Sequence, residues 1–164
     1  MTSKPNNGAK AVADVSDGLI LASVEIAAAP DQVFEALASD AVCEWWVRPG
    51  VFDTREWSGD VRPGGHWHAR GLGGGKPYAL EGEFLDVDAP ERLIHTWQPV
   101  GSPGKPSIVV YHLEAIDSGT RLTLRHSGLG NPTTCMNTAI GWETSFERLQ
   151  EQLAGEAHRH PLRD

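Results

Sequence analysis

Hydrophobic residues recur at steps of three and four through the C-terminal part of the chain, where Met136, Ala139, Trp142, Phe146, Leu149 and Leu153 share one helical stripe. The intervening Asn137, Thr144, Glu147, Arg148, Glu151 and Gln152 suit a solvated face. Asn131 offers a side-chain acceptor at the N-cap, and Pro132 has no amide hydrogen to leave unpaired, so a helix is predicted to start there. Gly155 predicts its end. Such a helix spans roughly 35 Å at about 1.5 Å per residue, the width of a small domain. Two large rings on the stripe require a broad apolar surface to cover them.

Upstream the period falls to two. Ile20, Ala22, Val24 and Ile26 alternate with Leu21, Ser23, Glu25 and Ala27, which predicts a strand over 19–28. Pro30-Asp31 opens a helix carrying Val33, Phe34, Leu37 and Ala38. Asp40 is expected to cap a second short helix through Cys43, Trp45 and Trp46, ended by Pro49-Gly50. Further strands are predicted over 51–57, 66–72, 78–87, 92–97, 107–116 and 120–126, with Gly- and Pro-rich turns between them. A curved antiparallel sheet needs one face covered, and the C-terminal helix is long enough to do it. The expectation is an α+β fold: about six or seven antiparallel strands wrapped around a long C-terminal helix, with two short helices after the first strand. Residues 1–17 are expected to form a disordered arm, 18–154 one domain, and 155–164 a polar tail.

Charge narrows the partners. A net charge of −8 argues against nucleic acid and anionic membrane, both of which attract basic surfaces. No apolar run approaches the roughly 20 residues of a membrane span, and the first 17 residues hold no secretory apolar segment. The expectation is a soluble, cytoplasmic protein. Cys43 and Cys135 lack a CxxC spacing and are expected to stay reduced.

The local strings resemble a known family. They are Ala29-Pro30-Asp31-Gln32-Val33-Phe34 with Leu37, the Trp45-Trp46 pair, Arg62-Pro63-Gly64-Gly65, and Gly82. Pro90-Glu91-Arg92-Leu93 with Thr96-Trp97 follows, then Gly119 to Leu124 with His126, and Gly141-Trp142. In this order they resemble the START/Bet v 1-like (SRPBCC) superfamily, in its branch named for the activator of Hsp90 ATPase homologue C-terminal domain. The resemblance implies a helix-grip fold and a cavity between sheet and last helix that takes a small hydrophobic molecule. As alternatives ranked after it, the resemblance leaves open a cofactor-independent cyclase- or aromatase-like enzyme, a co-chaperone of an Hsp90-type ATPase, and a protein acting through its surface.

Candidate chemistry is sparse. His66 and His68 share a strand face, a usable pair of metal ligands, but with no third ligand in the pattern they are read as a solvated pair flanking an inward Trp67. Glu81 and Glu83 likewise read as a solvated face. No nucleophile motif, phosphate loop, metal site or cofactor motif is found, and no catalytic residue is assigned. His158 and His160 fall in the expected tail. Parity singles out His95, Tyr111 and His126, which share strand faces with Leu93, Leu113 and Leu124 and so point inward. An inward imidazole needs a hydrogen-bond partner or a wet cavity. The candidate ligand-binding set is therefore Trp46, Trp67, His95, Trp97, Tyr111, His126 and Trp142. Open sheet edges predict a homodimer.

Overall fold

The computed structural model describes residues 8–163, with side chains described to residue 154. Strand β1 (Lys10–Asp14) pairs with β2 (Leu19–Ile26), and helices α1 (Pro30–Leu37) and α2 (Val42–Trp45) follow. Then come β3 (Val47–Arg48), β4 (Phe52–Gly59), β5 (His66–Gly73), β6 (Lys76–Asp88), β7 (Arg92–Pro99), β8 (Ser107–Ile116) and β9 (Gly119–Ser127), before helix α3 (Pro132–Arg163). One antiparallel sheet runs β1-β2-β9-β8-β7-β6-β5-β4-β3. It curls around α3 as a helix-grip fold.

The period-two pattern decides which face is covered. Ile20, Ala22, Val24 and Ile26 of β2, Leu122 and Leu124 of β9, and Val109, Tyr111 and Leu113 of β8 are all buried. From α3 they meet Cys135, Ala139, Trp142, Phe146, Leu149 and Leu153. Asn131 does cap the helix, its Oδ1 accepting the Thr134 amide at 3.0 Å. Irregular pairing between Thr54 and Glu56, and between Phe84 and Asp86, inserts bulges of the kind that bend a sheet around its contents.

Several expectations are corrected. Among the described residues the sheet has nine strands rather than six or seven. Lys10–Asp14 is an edge strand within the expected disordered arm, tied to α3 by the Ala11 amide donating to Glu143 Oε1 at 2.9 Å; residues 1–7 of that arm lie outside the described residues. Met136 is 49% exposed, and Cys135 takes the inward position on the stripe. The N-cap of α2 is Ala41, without a side-chain cap; Asp40 contributes only its carbonyl, to the Cys43 amide. Helix α3 continues through Gly155 to Arg163, where a tail was expected. One glycine costs a helix only about 1 kcal/mol relative to alanine, and Glu156 and Ala157 after it are good helix formers.

Gly82 has a steric duty. On the neighbouring strand, the Trp67 indole lies over it and donates Nε1–H to the Thr96 carbonyl at 3.2 Å. A Cβ at Gly82 would stand 2.0 Å from that carbonyl oxygen and 2.3 Å from Trp67 Nε1. Neither a backbone carbonyl nor a buried indole moves cheaply. Gly82→Ala should therefore destabilise the fold by about 3 kcal/mol, the upper end for overpacking, read as a fall in the urea midpoint. A midpoint within error of the parent would show that the strands shift freely here.

Candidate functional site

At one end the sheet and α3 part, because the helix changes character along its length. Its second half fills the sheet with Phe146, Leu149 and Leu153. In the first half, Thr134, Thr138, Gly141 and Ser145 recur at steps of four, three and four beside the apolar stripe, and these small residues leave room. The result is a cavity of about 560 Å³, within the 300–1,000 Å³ usual for small-molecule sites. Trp46, Trp97 and Trp142 form its apolar wall with Phe52 and Leu80. Arg48, Thr54, Tyr78 and Asn137 bring polar groups to it. The hydroxyls of Thr54 and Tyr78 are hydrogen-bonded to each other, and burial pushes the Tyr78 phenol up, so it stays neutral.

The aromatic rings form one continuous cluster. Trp46 packs tilted on Trp97, with centroids 4.7 Å apart, and edge-on to Trp67 and Trp142 at 5.8 and 6.1 Å. Trp97 touches Trp142 at 5.4 Å and His126 at 5.3 Å. All seven residues singled out by the sequence are thus brought together. Trp46, Trp97 and Trp142 line the cavity, whereas Trp67, His95, Tyr111 and His126 lie outside its lining, in the core behind it.

Those core positions explain the histidines. Trp142 Nε1–H donates to His126 Nδ1 at 3.0 Å, so Nδ1 must be the bare nitrogen. His126 Nε2–H then faces Ser107 Oγ at 2.8 Å, and Ser107 donates onward to the Trp97 carbonyl at 2.9 Å. The chain has one direction and satisfies every member. His95 Nδ1–H donates to the Thr96 carbonyl at 2.8 Å. Desolvation pulls His95 down to about 4, and desolvation with the nearby His95 pulls His126 down to about 3. Both are neutral at pH 7, and burial pushes the Tyr111 phenol well up. None of the three is poised to exchange protons near neutrality.

Elsewhere the chemistry is that of a surface. His66 and His68 are exposed and stand opposite Glu83 and Glu81, with His68 Nε2 4.0 Å from Glu81 Oε1. Among the described residues no group of three or more His, Cys, Asp or Glu could hold a metal ion. A second cavity of about 630 Å³ is lined by Asp40, Cys43, Arg55, Glu56, His68 and Arg70, among others. Charged side chains dominate its lining beside Trp57, and desolvation with Asp40 and Glu44 holds the Cys43 thiol up, away from a reactive thiolate. Both cysteines are free. No helix among the described residues is long and apolar enough to cross a membrane.

The sequence reading missed most of the cavity lining, including Arg48, Phe52, Thr54, Tyr78, Leu80, Thr134, Asn137, Thr138 and Ser145. Two signals were available: the shared face of Tyr78, Leu80, Gly82 and Phe84 on one strand, and the small-residue stripe on α3.

Comparison with known proteins gives a consistent picture. The family described as activator of Hsp90 ATPase homolog 1-like protein matches residues 27–154. A protein of solved structure from Chromobacterium violaceum has a TM-score of 0.76 at 23% identity, over 83% of this chain and 96% of that one. One from Rhodobacter sphaeroides has a TM-score of 0.75 at 22% identity, over 91% and 99%. The AHSA1 protein from Silicibacter pomeroyi has a TM-score of 0.70 at 26% identity, over 84% and 99%. No curated protein sequence matches.

Proposed function

We propose, from the premise that this chain belongs to the activator of Hsp90 ATPase homolog 1-like family, that it binds a small, largely aromatic molecule in the cavity between sheet and α3. The supporting observation is the composition of the wall: three tryptophans and Phe52 face a space of about 560 Å³ that α3 leaves open through Thr138, Gly141 and Ser145. Apolar rings supply binding free energy, and a few polar groups orient the ligand. The histidines act one layer back. His126 holds Trp142 in place through its hydrogen bond, so its role is to fix the wall.

A neutral fluorescent probe, N-phenyl-1-naphthylamine, should quench tryptophan emission saturably with a micromolar Kd. Thr138→Phe puts a ring into the cavity from a half-buried helix position and should weaken the probe at least tenfold, with little change in the unfolding midpoint. Absence of saturable quenching, or equal affinity in the filled variant, would retire this site.

A further inference from the structure

The charges around this cavity are one-sided. Twenty-two Asp and Glu against fourteen Lys and Arg give the chain its net charge of −8, yet among the described residues no Asp or Glu lines the cavity. Among the described residues the one charged side chain that does is Arg48 on β3. Three arginines are half-buried among the described residues: Arg48, Arg92 and Arg148. Arg92 is held by Asp86 at 2.6 Å, and Arg148 donates to the Glu44 carbonyl at 3.3 Å. Arg48 has neither an ion pair nor a side-chain hydrogen bond among the described residues. A half-buried cation facing an apolar wall without a counter-charge is an unfavourable arrangement, and evolution usually pairs it. Among the described residues the wall thus carries one unpaired cation and no anion.

We propose that the ligand of this cavity is an aromatic carboxylate, its rings among Trp46, Trp97 and Trp142 and its carboxylate paired with Arg48. This rests on the cavity being the binding site and specifies what it takes. A guanidinium matches a carboxylate with two parallel N–H donors, which a neutral amide cannot replace. The cavity's low dielectric strengthens the pair relative to water. The acidic surface outside disfavours anions in general, so selection rests on this one contact.

The test compares 2-naphthoate with its neutral near-isostere 2-naphthamide on the full chain, by titration calorimetry at pH 7 and low salt. The parent should bind naphthoate at least tenfold more tightly. Arg48→Gln should abolish that preference by weakening naphthoate at least tenfold, while naphthamide stays within about twofold. Arg48→Lys, which keeps the charge but not the fork, should fall between. Equal affinities in the parent, or an unchanged preference in Arg48→Gln, would overturn the assignment. If neutral probes still saturate, only the carboxylate preference has failed; if nothing binds, the cavity reading falls with it.

Discussion

Acidification from pH 7 to pH 5 should lower the free energy of unfolding by about 4 kcal/mol, with two buried histidines as the cause. His95 and His126 are held neutral, at about 4 and about 3, against an ordinary value of 6.5. Well above pH 6.5 both are neutral in the folded and the unfolded chain, so they contribute no pH dependence there. Between 6.5 and 4 the unfolded chain takes up two protons that the folded chain refuses. Stability then falls as pH falls, by about 1.4 kcal/mol per pH unit for each histidine. Both are buried, so solvent screening gives little relief. Against a total of roughly 5–15 kcal/mol, the loss by pH 5 is a large share. Urea unfolding at half-unit steps from pH 7.5 to 5 reads the slope directly. His126→Phe should halve it, while also costing about 1–3 kcal/mol at pH 7 because Trp142 Nε1 and Ser107 lose their partner. A flat profile above pH 5, or His126 titrating near 6.5 by NMR, would show that water reaches these rings.

That histidine pair marks how far the sequence could be read. Parity placed His95, Tyr111 and His126 inside, because alternation is a property of the strand alone. Whether an inward side chain meets a cavity or a packed core depends on what stands opposite, and that is set by register and by the helix. Ser107 became the partner of His126 only when β8 and β9 paired with Val109 opposite His126. The same limit hid β1 and β3. Lys10–Asp14 offers Ala11 and Ala13 as its half-buried side chains, too small a signal beside a polar arm, and β3 is two residues long. Helix α3 was legible because six apolar positions repeat, but Met136 and Cys135 are adjacent and either continues the stripe. The cavity residues Thr138, Gly141 and Ser145 carry no hydrophobic signal; they matter for the volume they leave empty.

The largest single-residue effect should come from Trp142, which joins core and cavity. It is 3% exposed, and its ring meets Trp46, Trp97, Tyr111, His126 and Phe146 at centroid distances of 5.4–6.1 Å. Trp142→Ala should cost about 3–5 kcal/mol, as large-to-small core changes do. Two consequences separate it from an ordinary truncation. Removing the indole takes away a wall of a cavity that already exists, so the new space is continuous with it and open to water. Water can then reach His126 Nδ1, which has lost its donor, and the imidazole regains access to its charged form. The pH slope between 6.5 and 5 should therefore fall toward that of His126→Phe, and adding His126→Phe to Trp142→Ala should cost less than it does in the parent. Trp142→Phe keeps much of the ring and loses the donor. It should cost about 1–3 kcal/mol and leave the slope nearer the parent's, because the wall still excludes water. A near-neutral Trp142→Ala in urea would contradict the packing that holds sheet and helix together. A full-cost variant with an unchanged slope would show that His126 is kept neutral by the remaining core, without the indole.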